Sequence, residues 1–219
     1  MNLKPKPQPK VTRVPGQRDP EASQRALLDA AVAEFAEKGL AGARVDEIAG
    51  RAGVNKQLVY HHFGNKDDLY QAALERVYAE IRERERALKL GDLAPVAAME
   101  RLIGFSFDYL VDHPEFVALL TDENRQGARH VQRSERLQEM HSPLIQLIAE
   151  TLEKGGREGL FRTDLDAVNV YISIAGLSYF YMSNGRTLSA IFGRKLDTAK
   201  ALAARRKHVI DFALGALRA

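Results

Sequence analysis

Lys56, Gln57, Tyr60 and His61 lie close together in the chain. On a helix they share one side, since positions three and four apart stack above one another. Together they offer an ammonium, an amide, a phenol and an imidazole, the groups that donate to phosphate oxygens or read base edges. Lys suits guanine and Gln suits adenine. The chemistry expected of this stretch is therefore recognition of a nucleic acid.

Such a helix must be held at a fixed angle, and residues 45–63 supply the means. Ile48, Ala49 and Ala52 make the inner stripe of one short helix, and Val59 and Phe63 that of the next. Ala49 is small enough to let the second helix cross close by. Gly53 sits at the corner, where a residue without Cβ takes positive φ without strain. Asn55 is placed to cap the second helix with its side-chain oxygen. Helix, tight turn and helix form a helix-turn-helix, whose second helix enters the DNA major groove. Asn65 is expected to cap a further long helix, with Asp67 and Asp68 favouring the dipole in its first turn.

Other classes find little support. His61 and His62 are adjacent, so on a helix they point about 100° apart. His130 and His141 are roughly 16 Å apart along a continuous helix, too far to share a metal. There is no phosphate-cradling glycine loop and no nucleophile elbow, so no enzyme, cofactor or metal centre is expected. A ligand-independent nucleoid factor using the same DNA module is the remaining rival. It would lack a cavity and show little sequence preference.

The chain has 219 residues, 45% hydrophobic and 28% charged, enough for a core in one or two domains. It has no cysteine and no apolar run or leader pattern for a membrane or secretion, so a cytoplasmic protein is expected. Net charge is only +3, but residues 1–90 hold 16 Lys and Arg against 13 Asp and Glu, whereas residues 91–219 hold 16 of each. Lys4, Lys6, Lys10, Arg13 and Arg18 stand among Pro5, Pro7, Pro9 and Pro15 in a stretch free of acids. Residues 1–20 read as a basic disordered arm.

Helical periodicity continues to the end, with no strand pattern. Residues 23–38 form the first helix, with Leu27, Ala31 and Phe35 inward and Gly39 as its stop. The run Glu80 to Arg86 alternates in sign and reads as a solvated face, with Glu80 and Arg84 paired at i,i+4. Segments follow at 94–111, 115–126 and 129–154. His113-Pro114 and Gly155-Gly156 separate them, and Pro143 divides the last. The segment 166–183 is apolar on nearly every side and must be covered by its own domain and a partner subunit. A short turn through Ile191-Phe192-Gly193 leads to a last helix, 197–217. Its seam of Ala199, Leu202, Ala203, Ile210, Ala213 and Leu217 suits close helix approach.

Three blocks carry a family resemblance: Ala30-Ala31 to Phe35-Ala36-Glu37-Lys38-Gly39, Val45 to Ala52-Gly53-Val54, and Leu58-Val59-Tyr60-His61-His62-Phe63 to Lys66 and Leu69. Over residues 23–70 the chain resembles the TetR family of bacterial transcriptional regulators. The resemblance implies an all-α homodimer. Its N-terminal three-helix bundle with the helix-turn-helix would span 21–66, and its C-terminal helical ligand-binding and dimerisation domain 67–219. It implies double-stranded DNA with a palindromic operator as partner, a small-molecule effector, and repression relieved by that effector. Family contact positions fall on Arg44, Val45, Lys56, Gln57, Tyr60, His61, His62 and Lys66, with Tyr60 and Lys66 resembling phosphate clamps. Positions 44 and 45 often carry hydroxyl residues in the family. Arg44 and Val45 cannot cap, so Arg44 is expected to grip the backbone or minor groove by charge. Leu58 offers only apolar contact, to a thymine methyl. For the effector, aromatic groups and nearby polar ones suggest Tyr109, Phe116, Asn124 and Tyr179, with Arg125 and His141 as further polar groups.

Overall fold

A computed structural model describes residues 20–140 and 142–219. The basic arm, Pro20 apart, and His141 lie outside the described residues. Twelve α-helices and one 3₁₀ turn make up the described chain. Helix α1, Pro20–Gly42, α2, Val45–Ala52, and α3, Lys56–Phe63, surround one core with the start of α4, Lys66–Ala87. Leu27, Ala31, Phe35, Ile48, Val59 and Leu69 are buried there, at the positions the helical period selects. Asn65 Oδ1 accepts from the Asp68 N–H at 2.9 Å, the expected cap of α4.

Gly39 does not end α1 but bends it. With φ +66 and ψ 172 it interrupts the helix for one residue, after which a last turn runs to Gly42. A Cβ at Gly39 would lie 3.0 Å from Asp122 Oδ1, so its bareness serves close approach as well as positive φ.

The remainder is α5, Pro95–Asp112, α6, Pro114–Arg125, α7, Arg129–Arg133, α8, Glu135–Glu139, α9, Ser142–Arg157, α10, Ala167–Ser183, α11, Gly185–Phe192, and α12, Ala199–Leu217. The segment at 129–154, expected to be kinked or divided at Pro143, is three helices. Pro143 lies in the first turn of α9, where its missing N–H costs nothing. Ser134 makes a further break, accepting from the Leu137 N–H at 3.2 Å. A second core joins α5, α9, α10 and α12 around Met99, Ile103, Phe107, Ile148, Ile174 and Val209.

Gly155-Gly156 was expected to break the chain, yet α9 continues through both. Their role is packing: Phe161 folds back, 2% exposed, so close that a Cβ at Gly155 would lie 2.1 Å from its ring. Arg162 N–H then donates to Leu217 O at 3.0 Å, tying the loop to the end of α12. At Gly156 the nearest neighbour is 3.4 Å away. Gly155→Ala is therefore expected to destabilise by about 1–3 kcal/mol through overpacking, outweighing its gain of about 0.5–1 kcal/mol in helix propensity. Gly156→Ala should be neutral or stabilising, and urea unfolding of both variants checks this order.

Candidate nucleic-acid interface and effector domain

The corner between α2 and α3 is built as its sequence requires. Gly53 adopts φ 64, ψ 34. Its N–H donates to Gly50 O at 3.1 Å, and that of Val54 to Ala49 O at 3.0 Å. This satisfies carbonyls that a helix end leaves open. Asn55 Oδ1 accepts from the Gln57 N–H at 2.9 Å. Val59 is fully buried, which orients α3 and leaves Lys56, Gln57, Tyr60 and His61 exposed on its outer side. His62 is half-buried, its ring 5.2 Å from that of His61 and 6.1 Å from Phe63.

Two expectations change here. Val45 is 8% exposed and belongs to the core, so its side chain cannot touch DNA. The period that buries Ile48 and Ala49 turns Val45 inward with them. Leu58 is also drawn in, half-buried against the same core. Arg44 does stand exposed before α2 without capping it. Its Nη2 lies 2.9 Å from Asp46 Oδ2, and Lys56 Nζ is 3.9 Å from Asp46 Oδ1. The Arg44 guanidinium, helped by Lys56, holds the Asp46 carboxyl below its usual range. Lys66 Nζ donates to Ala41 O at 3.4 Å, linking the start of α4 to the end of α1.

Sequence reasoning missed Glu34, which locks α1 to α2. It is fully buried, 2.8 Å from Lys38 Nζ and 3.2 Å from Arg51 Nη2, and accepts from the Arg44 N–H at 3.4 Å. Burial pushes its carboxyl up, but these bonds and charges outweigh burial and hold it below the ordinary value. Its position one turn beyond Ala30 on the inner stripe of α1 was the available signal.

α6 joins this unit to the rest. Asp122 Oδ2 accepts from the Leu40 N–H at 2.8 Å, just past the bend at Gly39, from Tyr70 OH at 3.2 Å and from Gln126 Nε2 at 2.9 Å. Burial, then the charges of Asp122 and Glu123, push the Tyr70 phenol well above its usual value. The next residue, Glu123, is 1% exposed and accepts from the N–H groups of His130 and Val131 at 2.8 and 3.1 Å. A groove of about 1360 Å³ opens beside this junction, between Gly39 and Phe35 on one side and Val117, Thr121, Tyr181 and Leu196 on the other.

None of the four expected effector residues lines that groove, although Arg125 does. Tyr109 and Phe116 are buried, their rings 5.7 Å apart edge to face, with Tyr78 5.3 Å from Phe116. Tyr179 is half-buried, and its OH is 2.7 Å from Thr121 Oγ1, so it meets the groove through Thr121. Asn124 is misplaced by the expectation: it is exposed and donates to Leu120 O of its own helix at 2.8 Å. Phe116, Leu119 and Glu123 take the inner face of α6, which puts Asn124 about 100° round the helix.

The run Glu80 to Arg86 is only partly a solvated face. Glu80 and Arg84 pair at 2.8 Å as expected. Arg82 and Glu85, however, are 4% and 6% exposed and lie 2.8 Å apart. They continue the inner stripe of Tyr78 and Ile81, a period hidden by the alternating charge. Burial pushes the Glu85 carboxyl up to about 7 against the pull of Arg82 and Arg86.

Such a fold and surface define an all-helical DNA-binding regulator. Two family profiles match: "Bacterial regulatory proteins, tetR family" over residues 27–73 and "Tetracyclin repressor-like, C-terminal domain" over 95–213. The transcriptional repressor NicS of Pseudomonas putida is 35% identical over 209 residues, 94% of this chain and 99% of its own length. The repressor KstR2 of Mycobacterium tuberculosis is 30% identical over 74% of this chain and 79% of its own. Its solved structure superposes with a TM-score of 0.65 at 25% identity, covering 94% of this chain and 100% of that one. The regulator FadR of Bacillus subtilis, solved with stearoyl-CoA, gives 0.69 at 20% identity, covering 89% and 100%. The chain belongs to the TetR family and is a DNA-binding transcriptional regulator. No helix among the described residues is long and apolar enough to cross a membrane.

Two measurements test the junction and the buried acid. Asp122→Ala removes the side-chain acceptor of the Leu40 N–H and leaves the Tyr70 hydroxyl only Leu119 O, at 3.4 Å, and is expected to cost about 1–3 kcal/mol in urea unfolding. For Glu85 the folded value of about 7 lies above the unfolded one, near 4.5. Its contribution to stability is fully present below pH 4.5 and is lost as pH rises through 7. Thermal unfolding across that window should show a decline that Glu85→Gln removes.

Proposed function

We propose that the protein is a homodimeric repressor that binds a palindromic operator and leaves it when a small-molecule effector occupies the C-terminal domain. The observation that carries this reading is the exposed polar side of α3, held rigid behind by buried Val59 and the Glu34 network. Lys56 and Gln57, at the N-terminal end of α3, face base edges. Arg44, Tyr60, His61, His62 and Lys66 serve the phosphates. Only the backbone of Val45 is left to take part. The protein acts in the cytoplasm, where its DNA lies.

The dimer reading rests on an apolar surface that one copy leaves uncovered. Val168, Ile172 and Phe180 are 47%, 57% and 57% exposed along α10, with Gly176 between them. Phe212 of α12 is 57% exposed and Ala203 is exposed too. Ile210, Ala213 and Leu217 of the expected seam instead face the protein's own core. Spaced by four, the α10 residues make one stripe, and the bare helix at Gly176 admits a close crossing. Obligate interfaces of this kind bury more than about 2,000 Å².

DNA footprinting should protect an inverted repeat, with affinity falling steeply as salt rises. Gln57→Ala is expected to cost about 1–3 kcal/mol on the operator and relax one position per half-site, while Lys66→Ala weakens all sequences alike. Equal loss on operator and random DNA for Gln57→Ala would remove its reading role. Ile172→Glu or Phe212→Glu should yield folded monomers by sedimentation and abolish protection. A monomeric wild-type protein at micromolar concentration would overturn the dimer.

A further inference from the structure

Between α4 and α10 the fold buries more hydrogen-bonding capacity than it uses. Arg82 reaches from α4 to Tyr171 of α10, Nη2 donating to the Tyr171 hydroxyl at 3.4 Å with the guanidinium carbon 6.0 Å from the ring centre. Its Nη1 stands 2.8 Å from Glu85 Oε2 but is not aligned for a hydrogen bond, and its Nε has no partner. The Ser178 hydroxyl, fully buried on α10, is also unpartnered. A guanidinium presents its donors in a fixed fork, and a buried one left partly unmet is costly, because water no longer serves it.

The surroundings narrow what would meet it. Tyr78, Phe116 and Tyr109 form a ring array edge to face, and Tyr78 lies one turn before Arg82 on the inner side of α4. Tyr179 bonds Thr121, and Thr121 lines the groove. One cation amid tyrosines, with a carboxyl beside it, matches a single negative charge on an apolar body. A doubly charged phosphate would need more positive charge than is present.

We infer that Arg82 is the anion anchor of the effector site and that the effector is a small organic carboxylate, its oxygens meeting the guanidinium edge that now faces Glu85 and its body lying against Tyr78, Phe116 and Tyr179. The carboxylate replaces Glu85 as the partner of Arg82. Glu85, already raised towards neutrality by burial, takes a proton as it is released. The inference rests on the reading of the protein as an effector-controlled regulator and adds the chemistry of the effector.

The probes are benzoate and hexanoate, each against its neutral amide, added to the full-length protein at millimolar concentration in thermal unfolding. At least one carboxylate should raise the midpoint by several degrees, as ligand binding to the folded state requires, with its amide giving less than about a third of that shift. Arg82→Gln should lower carboxylate affinity about tenfold or more, the order expected for loss of a charge-assisted fork. Tyr171→Phe, which removes only one hydroxyl, should lower it by a smaller factor and decides the matter should Arg82→Gln fail to fold. No shift with either carboxylate, equal shifts from the amides, or unchanged affinity in the folded variants would overturn the inference. Footprinting without ligand is run in parallel. Loss of operator protection there would count against the regulator reading, whereas intact protection with no carboxylate-specific shift would count against the carboxylate alone.

Discussion

One hydrogen bond carries the relation between the two ends of this molecule. At Gly39 the first helix leaves helical geometry for a single residue, and the Leu40 N–H beyond it turns to a carboxylate on another helix. Asp122 meets it at 2.8 Å while holding Tyr70 of α4 and Gln126 of its own helix. Side by side, Asp122 and Glu123 tie α6 forward to the DNA-binding unit and back to α7. A half-buried acceptor with several donors leaves little freedom, because one displacement would strain or break several bonds at once. Any change that moves α6 along its axis must therefore carry α1 and α4 with it or break these bonds.

The helix-turn-helix was legible almost atom by atom. Gly53, Asn55 and Asn65 take the roles their residue types imply, because caps and left-handed corners are local and a few residues decide them. What failed depended on distant neighbours. Val45 and Leu58 turn inward because the core behind them needs filling, which a list of contact positions does not contain. Gly155-Gly156 looks like a break until Phe161 is seen lying on it. Arg82 and Glu85 were hidden by their own charge: the alternation of sign suggested solvent, while the spacing from Tyr78 placed them inside. Asn124 failed for the complementary reason, chosen for its chemistry without asking which face of α6 it occupies.

Acids shape the DNA-facing surface as much as bases do. Asp46 stands between Arg44 and Lys56, and Glu37 holds Arg51 at 2.5 Å. These exposed pairs contribute little to stability, since solvent screens them and ordering long side chains costs entropy. Their effect is on position: three cations that would otherwise spread into solvent are kept near the ends of α2 and α3. On the proposed reading a phosphate competes with Asp46 for Arg44, so binding exchanges one partner for another. Sensitivity to salt follows, because the released counterions rather than the protein contacts set much of the affinity.

Thr121 belongs both to the groove and to the hydrogen bonding of the aromatic cluster. Its hydroxyl bonds Tyr179 at 2.7 Å, and the next residue in the chain is Asp122. A molecule lodged among Tyr78, Phe116 and Tyr179 thus presses on α6 one residue away from the bond that fixes α1. Linkage sets the scale of what this can do: a hundredfold loss of operator affinity corresponds to about 2.7 kcal/mol of coupling, and bound DNA must weaken the effector by the same factor. The net value of one or two charge-assisted hydrogen bonds is of that size. Rearrangement at Asp122 alone is therefore sufficient in magnitude, and no unfolding of the DNA-binding unit is needed to release it.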